Sequence, residues 1–111
     1  MTIADLEKYI DRKIPVIVAV QAWPGREVVV KNWEKVNNSG HYMVCVGYDL
    51  DNLIFEDPML ASKGFMPKKE FMTRWHDTAT WRREKISFIN FGLAVYGMKP
   101  KFDESELIRI K

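Results

Sequence analysis

The sequence predicts an α+β domain: a small, mainly antiparallel sheet with an N-terminal helix and one crossing helix. Three observations carry that expectation. The run IPVIVAV, from Ile14 to Val20, is β-branched and apolar enough for a strand covered on both faces. The blocks GHYMVCVGYD and NLIFEDP read as two strands joined by a turn at Asp49-Leu50-Asp51. Apolar residues at helical spacing recur in TIADLEKYIDR and in PKKEFMTRW.

At 111 residues and 13.0 kDa, the chain is expected to form one domain spanning residues 1–111. Hydrophobic residues make up 47%, enough for a core and against general disorder. With 17 basic and 15 acidic residues the net charge is only +2. Short basic groups such as Lys68-Lys69 and Arg82-Arg83 therefore read as solvated surface, and no nucleic-acid partner is expected. A single cysteine, Cys45, excludes an internal disulfide framework, and no CxxC or Cys/His cluster points to a metal. The N-terminus carries acidic residues and reads as a helix, not a signal peptide. The longest apolar run falls far short of the roughly 20 residues that span a bilayer. A soluble, cytoplasmic protein without a membrane partner is expected.

Taken in order, Thr2 can cap a helix reaching about Arg12, with Asp5 three residues on completing a capping box. Ile3, Leu6 and Ile10 form its apolar face, and Pro15 stops it. The strand from Ile14 to Val20 should lie inside the sheet, ending in a turn at Gln21 to Gly25. Arg26 to Ser39 reads as a loop insertion, with VVVKNWEKV open to a short strand and a helical turn. His41 to Tyr48 is the second strand, with His41, Met43, Cys45 and Gly47 on one face. Pro58 ends its partner, and Met59 to Gly64 is a loop. Pro67 fits the first turn of a helix to about Trp75 that buries Phe71, Met72 and Trp75. After a polar connector holding Thr78 to Arg83, strand composition returns from Ile86 to Met98, with Phe91 to Tyr96 as the final core strand. In the charged tail Lys99 to Lys111, residues Leu107, Ile108 and Ile110 could dock.

Register decides whether the polar residues of the two central blocks meet. A three-residue loop, Asp49 to Asp51, pairs Tyr48 with Asn52 and so Met43 with Asp57. His41 is then the diagonal neighbour of Asp57 on the same face. A two-residue loop would put them on opposite faces.

The order PVIVAVQAW, GHYMVCVGYD, NLIFEDP and FMPKKEFMTRWHD resembles the C-terminal half of the C39-like peptidases. These are papain-like cysteine peptidases related to the bacteriocin-processing proteases attached to some ABC exporters. The match runs from about Asp5 to Asp77, with a plausible last strand at Gly92 to Gly97. The resemblance implies the β half of a papain-like fold, with His41 as general base and Asp57 as the carboxylate that orients it. It implies peptide-bond hydrolysis on a peptide or protein segment, with no cofactor. A carboxylate fixes the imidazole tautomer, and the imidazole takes the proton of a thiol.

The family's nucleophilic cysteine and the glutamine before it lie on an N-terminal helical half that these residues do not carry. Gln21 sits at the wrong place in the order. Cys45 lies four residues after His41 on one strand, about 13 Å along it at roughly 3.3 Å per residue, and reads as a buried core residue instead.

Without the resemblance, a lone strand histidine is structural more often than catalytic, and an Asp before Pro is an ordinary turn residue. His76 and Asp77 after the helix read as a dipole interaction. A metal held by His41, Asp57 and His76 has no supporting spacing. Trp23, Trp33, Trp75 and Trp81 read as core or rim aromatics, one or two of which could line a cleft.

Three functions remain. The chain is the base-carrying part of a cysteine peptidase, inactive alone; or a peptide-binding module that does not cut; or a module that associates with a homodimer partner or a cysteine-bearing N-terminal half to cover an apolar patch.

Overall fold

The computed structural model describes residues 1–97. Helix α1 (Ile3–Asp11) begins with the expected capping box: Thr2 Oγ1 accepts from the Asp5 N–H and Asp5 Oδ2 from the Thr2 N–H. Each partner satisfies an N–H that the first helical turn leaves free. Leu6, on its apolar face, is fully buried.

Strand β1 (Val16–Gln21) is buried at every position but Ile17, as its unbroken apolar run requires. It lies inside a five-stranded antiparallel sheet with β2 (Gly40–Tyr48), β3 (Asn52–Glu56), β4 (Gly64–Pro67) and β7 (Gly92–Ala94), in the order β4-β3-β2-β1-β7. Helix α2 (Lys68–Arg74) crosses the same face as α1. Phe71 stacks between Phe55, at 5.5 Å, and Trp75, at 4.8 Å, and with Val16, Val18, Val20, Met43 and Leu53 these rings fill one core. On the opposite face Tyr42, Phe65 and Leu93 stand 60%, 74% and 51% exposed.

Several expectations are corrected. Met72 is 47% exposed, because Phe71 and Trp75, four residues apart, take the inward stripe and turn their neighbour outward. The stretch from Thr78, expected to be a connector, belongs to β5 (His76–Trp81), which pairs with β6 (Glu84–Ile89) in a separate two-stranded sheet. The last core strand is shorter than Phe91 to Tyr96, and Ile86 lies in the separate sheet. The insertion from Arg26 to Ser39 contains a 3₁₀ turn (Trp33–Lys35) and no strand. The tail Lys99 to Lys111 lies outside the described residues. Among those residues, no helix is long and apolar enough to cross a membrane.

The central hairpin departs from expectation in a way that bears on the site. Tyr48 pairs with Leu53, not Asn52, and the Asp49 N–H donates to the Asn52 carbonyl at 3.0 Å. The tip is thus the two residues Leu50 and Asp51, with Asp49 Oδ1 accepting from the Asp51 and Asn52 N–H groups. That loop alone would put His41 and Asp57 out of phase. A bulge between Cys45 and Gly47 adds one residue to β2, and below it Cys45 pairs with Phe55 and Val44 with Glu56. Continuing that register sets Met43 opposite Asp57, which restores the phase.

The start of β2 is held by close contact. A Cβ built on Gly40 would lie 2.7 Å from Asp77 Oδ1. Gly40→Ala is therefore expected to destabilise the fold by about 1–3 kcal/mol, the usual range for overpacking. Urea denaturation measures it, and a midpoint equal to that of the parent would contradict the contact.

Candidate active site

The ends of β1, β2 and β3 meet the start of β5 at one end of the five-stranded sheet. The end of β1 is anchored first. Gln21 is fully buried, and its carboxamide is completely engaged. Nε2 donates to the His76 carbonyl and to Asp77 Oδ1, both at 3.1 Å, while Oε1 accepts from the Ser39 N–H at 2.8 Å. The Gln21 carbonyl accepts from Arg74 Nε at 2.9 Å, and the Arg74 guanidinium lies 3.7 Å from the centre of the Trp33 ring. Burial lowers the Arg74 pKa while Glu70 pulls the other way. Gln21 is thus a structural clamp with no free group for substrate. His76, expected only to meet a helix dipole, places Nε2 2.6 Å from the Val36 carbonyl and so ties β5 to the segment leading into β2.

His41 is the second residue of β2, opposite Val20 of β1. Its Nε2 lies 2.6 Å from Asp57 Oδ1, and the two side chains are 17% and 4% exposed. Asp57 follows β3 and has two further donors: the Met59 N–H reaches Oδ1 at 2.9 Å and the Trp23 indole N–H reaches Oδ2 at 2.9 Å. Burial pushes the Asp57 pKa up, but the hydrogen bonds from Met59, Trp23 and His41 outweigh it and hold the carboxyl below its ordinary value. An ionised carboxylate only accepts, so the proton on this contact sits on Nε2, and in the neutral imidazole the lone pair is then on Nδ1. Among the described residues Nδ1 has no hydrogen-bond partner. The arrangement is an imidazole oriented by a carboxylate, with Nδ1 unpartnered among the described residues.

The two residues read from the sequence as a pair, His41 and Asp57, are therefore brought together. Cys45 is not part of this group. It is fully buried, its Sγ lies 3.8 Å from the Gly47 carbonyl, and burial pushes its thiol up to about 12. His76 is engaged elsewhere, and among the described residues no three His, Cys, Asp or Glu side chains cluster as metal ligands. Trp23, one of the four aromatics that could line a cleft, borders the site, but its bond to Asp57 is not foreseen from the sequence. Nothing local in QAWPG says that this indole reaches a carboxylate 34 residues away. Trp23 and Asp57 border an apolar cavity of about 570 Å³, lined also by Met43, Phe55, Met59 and Phe65.

The model of the Peptidase_C39 like family matches residues 1–81. The chain belongs to that family. The matched span runs from α1 through β5 and includes both His41 and Asp57, so the domain is peptidase-related by descent. No match to the chain was found among curated proteins or among solved structures.

The depressed pKa of Asp57 has a defined consequence for stability. Its charged form is favoured in the folded state, so its contribution is complete above the unfolded value of about 3.9 and disappears as pH falls through the lower folded value. Against Asp57→Asn, the difference in unfolding free energy should shrink as pH falls below about pH 4. Denaturant titrations across that range check it, and a difference independent of pH would contradict the ionised, hydrogen-bonded carboxylate.

Proposed function

We propose that His41 and Asp57 are the general base and its orienting carboxylate in a cysteine peptidase site. The thiol comes from a segment outside these 111 residues. The observation that carries this reading is the 2.6 Å contact from His41 Nε2 to a carboxylate that is itself held by Met59 and Trp23, inside a span matched to a peptidase family. The single cysteine of the sequence is buried with a raised pKa, the opposite of an activated nucleophile.

In this reading Nδ1 of His41 takes the proton of the incoming thiol, and Asp57 stabilises the imidazolium that results. The thiolate attacks the carbonyl carbon of a peptide or related acyl bond. His41 returns its proton to the leaving amine, then takes one from the water that cleaves the thioester. In a papain-like arrangement a cysteine-bearing helical half would meet the sheet at the strand ends that carry His41. Residues 1–111 alone would not hydrolyse peptides.

A second reading is supported by the apolar outer face of the sheet, where Tyr42, Phe65 and Leu93 are exposed. A module that binds peptide segments or a second copy of itself without cutting would use such a surface. Light scattering and peptide titration address that reading; hydrolysis addresses the first.

In the natural protein with its cysteine-bearing segment, His41→Ala should lower kcat/KM for a peptide substrate by about a hundred- to ten-thousand-fold, the usual contribution of a general base. Cys45→Ala should leave kcat/KM unchanged. Hydrolysis that survives His41→Ala would overturn the proposal.

A further inference from the structure

Trp23 combines three features that core packing does not account for. It is 51% exposed, so burial does not explain its size. Its φ is 55°, a left-handed backbone that a bulky side chain adopts only when the surroundings impose it. And its indole N–H is directed at one oxygen of the buried Asp57 carboxylate, at 2.9 Å.

The backbone leading to Trp23 is rigid. Gln21 is clamped on both sides, and the Ala22 N–H donates to the Ser39 carbonyl at 2.9 Å. Pro24 favours extended backbone at the residue before it, so the left-handed φ of Trp23 is held against that preference. The chain leaves β1 in a fixed direction, and the left-handed turn at Trp23 carries the ring past the first residues of β2 to the end of β3. The two carboxylate oxygens then have separate tasks. Oδ1 receives His41 and Met59, while Oδ2 receives Trp23. Without a donor on Oδ2, only the bonds from His41 and Met59 to Oδ1 oppose rotation of the carboxylate plane about its last torsion, a broad and shallow one. The plane would then swing more widely in front of the imidazole.

We propose that Trp23 is a positioning residue for the His41–Asp57 pair: its indole N–H sets the plane of the Asp57 carboxylate, so that Oδ1 stays on His41 Nε2 and Nδ1 keeps one direction. The strained φ at position 23 is the structural cost of aiming that donor. This inference rests on the reading of His41 as a base for its significance, but the geometry it concerns belongs to the resting chain.

Two replacements separate donor from shape. Trp23→Phe removes the N–H together with part of the ring. β-(3-benzothienyl)alanine at position 23 keeps the bicyclic ring and replaces only the N–H by sulfur. In the 111-residue chain, labelled at aspartate and histidine, NMR follows the Asp57 carboxyl titration and the exchange of the His41 Nε2–H with water. Both replacements should move the Asp57 titration upward. Both should also speed Nε2–H exchange by about tenfold or more, the factor set by losing one hydrogen bond to a charged group. If the benzothienyl variant keeps the parent titration and exchange, Trp23 acts through shape and the proposal is overturned. A Phe variant that fails to fold leaves the benzothienyl result decisive, since that change is a single atom. Neither readout involves hydrolysis, so a failure of the peptidase reading, seen as activity without His41, would leave this result standing.

Discussion

The site exists because β2 and β3 are phased so that the second residue of one strand and the residue following the other lie on one face. Side chains alternate along a strand, so an error of one residue would turn His41 toward the opposite face from Asp57. The two-residue tip at Leu50 and Asp51 supplies the wrong parity, and the extra residue between Cys45 and Gly47 corrects it. The separation of these two devices also isolates the pair from the turn. Changes at the tip are exposed and far along the strand, while the bulge lies within the packed part of β2.

Phase alone would leave the pair loosely held, and a second constraint supplies its rigidity. Buried polar groups are stable only when their hydrogen bonds are complete. Gln21 and Asp57 are the buried polar side chains among the described residues, and each is fully partnered. Gln21 draws β1, β5 and the segment before β2 together, while Asp57 draws in β2, the loop after β3 and Trp23. Removing one member of such a network leaves the others unpaired in a low-dielectric setting, so the strand ends act as a unit. Gly40 belongs to the same arrangement, because the Asp77 carboxylate occupies the space a side chain would need.

The parts of this fold that are legible in the sequence are those fixed by local chemistry. Thr2 and Asp5 announce a helix start through bonds within one turn, and the apolar run into β1 announces an interior strand by composition. The placement of His41 and Asp57 on one face is also legible, but through a three-residue loop that the chain does not form. A bulge leaves little trace in an alternating sequence, since Val44, Cys45, Val46 and Gly47 suit either geometry. Strand β5 reads as connector because Thr78 and Thr80 are polar and, among the described residues, its ladder partner is the largely exposed β6. Strand β4 is four residues ending in a proline, shorter than the signal a strand needs. The bond from Trp23 to Asp57 is illegible because the partner is brought to it only by the sheet.

The central claim is that this pair serves a thiol other than Cys45. The most direct measurement uses the natural protein, a peptide electrophile that reacts with activated thiols, and mass spectrometry to locate the adduct. The account predicts a single adduct on a cysteine outside these 111 residues, lost when His41 is replaced by alanine. An adduct on Cys45, or one that forms equally well without His41, would contradict it.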